Sequence, residues 1–291
     1  MHTDAGIAGL DDLFDAYAAE TGSRVRRDDD ARADLVLYGN LAELWAAAED
    51  DELRPAGSAT LADSVAAPLR DPESRWVALA YGAIVVVHNV ARVSADELES
   101  IDDYAALGES AWQGRLCLGS SALSSNVALI AHLIRRHGER DAELIVRRWR
   151  ANLAQPEFAD ADSLLAAVAS GACDVALADS RAFAARRSST RDPRLAAHWP
   201  QTAAIDVSGA GVSRHAERAD QALALLEWLT QPAPNALHAS RTFALPVNAA
   251  SPRSLAVADW PAPDPGSQEP LADIGFLLED AVLLAERARY R

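Results

Sequence analysis

Ile205-Asp206-Val207-Ser208-Gly209-Ala210-Gly211-Val212 is the stretch whose interpretation decides the fold. Apolar Ile205 and Val207 alternate with polar Asp206 and Ser208, the period of a strand, and the two glycines permit backbone geometry that other residues resist, which predicts a bend at the strand's end. A helix follows from about Arg218 to Thr230. Ala222, Leu225, Leu226 and Leu229 recur at i, i+3, i+4 and i+7 on one buried face, and Pro232 stops it.

Strands and helices alternate outward from this unit. Leu10, Leu13, Phe14 and Tyr17 mark a helix that ends near Gly22, and Val25 opens a return strand. Leu35 to Tyr38 reads as a buried strand, Gly39-Asn40 as a loop, and Leu41, Leu44, Trp45 and Ala48 as the inner face of the next helix. Leu79 to Val87 is too continuously apolar and β-branched for a surface strand. Val127, Ile130, Ala131 and Ile134 form one helical face, Leu144, Ile145, Trp149 and Leu153 another, and Leu164, Leu165 and Val168 a short one that stops at Gly171. The segment CDVALADSRAFAARR is a strand running into a loop. Pro252 to Pro270 is a surface crossover before a last helix with Leu277, Leu278, Ala281 and Ala285 on one face. Such alternation predicts an α/β fold with a parallel sheet, whose ligands gather at the carboxyl ends of the strands.

At 291 residues the chain has room for two lobes with cores of their own. No run of about 18 apolar residues is present, so no transmembrane helix is predicted. The net charge of -16 argues against nucleic acid, and all 27 basic residues are arginine. Cys117 and Cys173 lack the spacing of a zinc or redox motif. They either pair, if the protein is exported, or sit as buried thiols, and the usual burial of cysteine favours thiols. The first residues lack the charged segment, apolar core and cleavage site of a signal peptide. No nucleophile elbow, HExxH, P-loop or dinucleotide-binding glycine fingerprint occurs in strand-to-helix context, so an enzyme is not expected.

Between Val207 and Pro232, VSGAGVSRHAERADQALALLEWLTQP resembles the return segment of bacterial periplasmic solute-binding proteins that serve ferric-iron ABC transporters. The resemblance recurs in LFDAYAAETGSRV, in the crossing strand APLRDPESRWVALAYGAIVVVHN, and in Trp112-Gln113-Gly114-Arg115, where the family has a Trp-Lys-Gly-Arg turn. It implies a two-lobe, type II periplasmic-binding-protein fold with a hinge of two crossing strands, lobe 1 being 1–84 plus 212–255 and lobe 2 being 85–211 plus 256–291. The implied function is capture of a small ligand between the lobes for a membrane ABC permease, by a monomer located in the periplasm, with the cytoplasm as the alternative left open by first residues that lack signal-peptide features. By the same resemblance, Met1-His2-Thr3 falls at the end of the family's first strand, so upstream residues are expected.

The family holds iron(III) mainly through tyrosinates, as a hard, highly charged cation favours anionic oxygen. Here the resemblance places Ser124 at one tyrosine position, Arg181 and Ala182 at an adjacent pair, Ile7 near a further ligand, and Gly82 where an anion-holding arginine is common. None of the five tyrosines falls on a family ligand position. No cofactor is required, and iron(III) is implied by the family without its ligands being matched.

The remaining polar candidates are His2, Asp4, Asn40, Tyr81, Ser124, Ser125, Asn126, Asp179, Ser180, Arg181, Asp206 and Ser208. Ser124, Ser125, Asn126 and Arg181 suit a small oxyanion or carboxylate at a helix start, the serines otherwise serving as N-caps. His2, Asp4, Asp179 and Asp206 suit a divalent metal or an amine, and the negative net charge favours a cation. The alternative function is a diverged sensory or protein-interaction module on the same fold, outside any transporter.

Overall fold

Strand β2, Trp76–Asn89, is buried along its whole length and organises the described residues of the computed structural model, 10–26, 33–261 and 269–291. The chain divides into two compact units, one reaching to Tyr81 and resuming over Val207–Gly275, the other formed by Gly82–Asp206 and Phe276–Arg291. Two strands, β2 and β6 (Ile205–Val212), begin in one unit and finish in the other.

In the first unit, β1 (Leu35–Tyr38) runs antiparallel to β6, with Leu35 opposite Val212 and Tyr38 opposite Gly209. Strand β6 neighbours β2, which also pairs with β7 (Leu245–Pro246) through Tyr81 and Leu245. Helix α1 (Asp11–Thr21) and helix α9 (Ala219–Leu229) bury their apolar faces on this sheet. Leu13, Phe14 and Tyr17 meet Leu35, Leu37, Val77, Leu79, Leu225 and Leu229 in one cluster. Gly22 ends α1 in the left-handed conformation at φ 74°, as the sequence predicts. The short helix α10 (Pro232–Arg241) uses Pro232 at its start, where a missing N–H costs nothing.

In the second unit, Ile84–His88 of β2 pairs antiparallel with β4 (Val175–Asp179), and Val86–Asn89 pairs antiparallel with β5 (Leu195–His198). Strand β3 (Leu116–Cys117) lies parallel to β4. Helices α5 (Ser124–His137), α6 (Glu139–Ala151), α7 (Ala161–Ser170) and α12 (Leu278–Arg287) complete the unit. At its centre the fully buried Tyr104 hydroxyl donates to the Ile84 carbonyl at 2.6 Å and accepts from the Ala204 amide at 2.8 Å. The Trp149 indole N–H donates to the Tyr104 carbonyl at 2.9 Å.

Several expectations change. Among the described strand pairs only β3–β4 is parallel, because β2 and β6 return through the sheets and pair antiparallel with the strands beside them. No bend ends β6 at its glycines; the strand continues to Val212. A side chain at Gly209 would place its Cβ 2.6 Å from the Val77 carbonyl oxygen, and one at Gly211 the same 2.6 Å from that of Arg75. Both glycines therefore serve close packing of β6 on β2 and not a turn. Asp179 leads directly into a helix, α8 (Ser180–Thr190), where a loop was expected. Ser23–Arg26 form no strand around Val25.

The third passage between units also differs from the expected boundary near 256. Trp260 and helix α11 (Leu271–Gly275) belong to the first unit, where α11 packs on α2 (Leu41–Glu49) and Gly275 lies against the Trp45 ring with no room for a Cβ. Finally, Cys117 and Cys173 form a disulfide with Cα atoms 5.9 Å apart, correcting the expectation of buried thiols. Parallel pairing of β3 with β4 sets Cys117 opposite Ala176, close enough to Cys173 for the bond.

Candidate functional site

Strand β4 ends at Asp179 and helix α8 begins at Ser180, so three adjacent polar residues sit where a buried strand turns into a helix. Asp179 is the N-cap of α8, its Oδ1 accepting the Arg181 backbone N–H at 2.7 Å. This is the favoured use of an aspartate at a helix start. Ser180, fully buried, accepts the Ala83 backbone N–H on its hydroxyl at 3.0 Å and ties α8 to β2. Arg181 then folds back over the cap. Its Nε lies 3.0 and 3.1 Å from the two Asp179 oxygens, and its Nη2 lies 2.6 Å from Asp179 Oδ2 and 2.6 Å from Asp206 Oδ2.

Asp206, at the start of β6, is 1% exposed. Two carboxylates thus share one guanidinium and the three groups carry a net single negative charge. Burial pushes the Arg181 guanidinium down, but the charges of Asp179 and Asp206 outweigh burial and hold it above its ordinary value. Strand β2 makes room for the arrangement at Gly82. A Cβ there would fall 2.9 Å from Asp179 Oδ1 and 3.0 Å from both Cγ and Nε of Arg181.

The other candidates are placed as follows. Asn40 caps α2, its Oδ1 accepting the Glu43 amide at 3.0 Å, while the Glu43 carboxylate accepts the Gly39 amide at 3.1 Å. Tyr81 is buried in β2, and Ser208 is buried in β6 with its hydroxyl 3.4 Å from His238 Nε2. All three belong to the first unit. In the second unit, Ser124 and Ser125 open α5, yet the residue at the cap position is Leu123 and no side chain caps the helix. Asn126 is buried and donates to the Ser120 carbonyl at 2.8 Å. Of the expected oxyanion set, Arg181 pairs through Nε and Nη2 with Asp179 and Asp206. His2 and Asp4 lie outside the described residues. Among those described, no group of three or more His, Cys, Asp or Glu side chains is arranged to hold a metal ion.

The tyrosines are engaged elsewhere. Tyr17 packs edge-on against Trp228 with ring centres 5.1 Å apart, and Tyr104 is held in the core of the second unit. Tyr290 donates its hydroxyl to the Gly119 carbonyl at 2.6 Å. At Tyr38, burial, with Glu52 and Glu43 adding to it, pushes the phenol up to about 12 and keeps it protonated at neutral pH. Sequence reasoning missed His238, which sits on the buried face of α10 without any motif around it. It also missed the packing role of Gly82, which only the position of Arg181 reveals.

Two α/β units joined through strands common to both define a binding protein with the two-lobe, type II periplasmic-binding-protein fold. Residues 29–264 match the model of the bacterial extracellular solute-binding protein family, and the chain belongs to that family. It is a solute-binding protein, not an enzyme, and proteins of this family bind small ligands and deliver them to ABC permeases. It is 27% identical over 260 residues to iron uptake protein A1 of Synechocystis, spanning 85% of this chain and 71% of that one. Iron uptake protein A2 of the same organism is 29% identical over 236 residues, 75% of this chain and 66% of that one. Among solved structures, a Trichodesmium protein in complex with iron and citrate superposes with a TM-score of 0.90 at 25% identity, covering 100% of this chain and 98% of the other. Ferric iron-binding protein A of Mannheimia haemolytica, in an open conformation, gives 0.88 at 20% identity over 97% and 95%.

Proposed function

We propose that this chain is the solute-capturing component of a bacterial ABC transporter, working as an exported monomer, and that its cargo is not iron held by tyrosinates. The observation that carries this reading is the Asp179–Arg181–Asp206 ion triad. It occupies the strand-to-helix turn where the resemblance to ferric-binding proteins calls for adjacent tyrosines. Both carboxylates of that group are paired with the guanidinium, the phenols of Tyr104 and Tyr290 are bonded to backbone carbonyls, and that of Tyr38 is held protonated. The Cys117–Cys173 disulfide supports an oxidising compartment outside the cytoplasm, where such bonds persist.

The experiment is a thermal-shift panel on the purified protein with ferric citrate, divalent metals, phosphate, sulfate, carboxylates and amino acids. A solute at about a thousand times its dissociation constant stabilises the folded state by roughly 4 kcal/mol, a shift of several degrees for units of this size. The reading expects a shift with a small solute and none with ferric citrate. A ferric-induced shift accompanied by visible tyrosinate-to-iron absorption refutes it. A flat response to the whole panel favours the alternative, a sensory or protein-interaction module on the same fold.

A further inference from the structure

We infer that Arg181 is the residue that sets the ligand charge accepted by the second unit, keeping the Asp179 and Asp206 carboxylates closed with a guanidinium of the chain's own so that a metal cation cannot take them. The inference rests on the reading that the cargo is not tyrosinate-held iron, and deepens it by naming what excludes metal.

Two aspartates converging in a buried setting require a cation, because an ionised carboxylate away from water is costly unless it is paired. Here the cation is covalently attached two residues from one of them. Three contacts of 3.1 Å or less join Arg181 to Asp179 through Nε and Nη2, and a 2.6 Å contact joins it to Asp206. The guanidinium cannot be treated as a side chain that happens to lie nearby, for three backbone features hold its position. The Arg181 amide is itself bonded to Asp179 at 2.7 Å, Ser180 is tied to the Ala83 amide at 3.0 Å, and the bare Cα of Gly82 leaves the space that Arg181 Nε and Cγ fill.

A tethered cation in fixed register competes with any cation from solution as an intramolecular partner does, at high effective concentration. The pair is made of hard, anionic oxygens, the donor type that Mn2+ favours. With Arg181 in place, a solute bound by this unit has to be held by groups other than these carboxylates, and a bare metal ion is turned away.

The test is calorimetric titration of Mn2+ into the full chain and its variants. Wild type and Arg181→Lys, which keeps a cation, are expected to bind weakly or not at all. Arg181→Gln is expected to bind Mn2+ at least tenfold more tightly than wild type, and adding Asp206→Asn to it is expected to abolish the gain. If Arg181→Gln does not fold alone, Mn2+ should raise its melting temperature or restore its circular dichroism, while potassium at equal ionic strength should not. An Arg181→Gln chain that neither gains Mn2+ affinity nor responds to Mn2+ in folding overturns the inference. So does a gain that survives Asp206→Asn. These outcomes are separate from the solute panel: a ferric response of the wild type would refute the proposed cargo, whatever Arg181→Gln does.

Discussion

Breaking the Cys117–Cys173 bond is the perturbation with the most definite expected size. The bond closes a loop across 56 positions that contains the whole of α5, α6 and α7, and both cysteines are at most 1% exposed. Cross-linking a loop of that length removes chain entropy from the unfolded state worth about 4 kcal/mol. The Cys117→Ala, Cys173→Ala variant should therefore lose about 4 kcal/mol, plus a small cost for the two sulfur-sized gaps, and all of it should fall on the second unit. For a unit of this size that corresponds to a melting temperature lower by roughly 10 °C. Urea unfolding read at Trp112 and Trp149, in the second unit, is the assay, with Trp228 in the first unit as an internal reference. The second-unit midpoint should drop while the reference changes little. Equal stability of the oxidised and variant chains to within about 0.5 kcal/mol would refute the reasoning, as would two free thiols in the denatured, unreduced protein.

Three further outcomes are expected. Burial pushes His238 down to about 4 from its ordinary 6.5, so its neutral form stabilises the fold above about pH 6.5 and that contribution is lost as pH falls through about 4. It amounts to about 3 kcal/mol in all, and His238→Gln should flatten the stability curve between pH 7 and 4 in denaturant titrations; an unchanged slope would assign the acid sensitivity elsewhere. Tyr104→Phe strips one partner each from the buried Ile84 carbonyl and Ala204 amide and should cost roughly 1–3 kcal/mol in urea unfolding, against near-neutrality if solvent reaches that pair. In Gly275→Ala the added methyl overlaps the Trp45 ring, and a loss of roughly 1–3 kcal/mol with altered Trp45 fluorescence is expected; a variant as stable as wild type would mean that α11 does not rest on α2 as described.

Much of the local structure was readable because it repeats locally. The apolar spacing of α1, α2, α7 and α9, the glycine that ends α1, and the unbroken apolar run of β2 all follow from periods that act within a few residues. The same rules stated that Gly209 and Gly211 were special without stating why. A glycine that turns the chain and one that admits a neighbouring strand look identical until the neighbour is in place. Trp45 on Gly275, Cys117 with Cys173, and Tyr104 between Ile84 and Ala204 all depend on contacts between distant parts of the chain, which no local period encodes.

The candidate site shows the same division. By itself the sequence determined that Asp179, Ser180 and Arg181 stand at the end of a buried strand and that Asp206 lies at the start of another. Only the tertiary structure decided that Arg181 turns back to join both aspartates over Gly82, making the guanidinium their internal counter-ion. The reason is electrostatic: a charged side chain is committed by whichever opposite charge is buried beside it, and that neighbour is set by how β2, β4 and β6 come together.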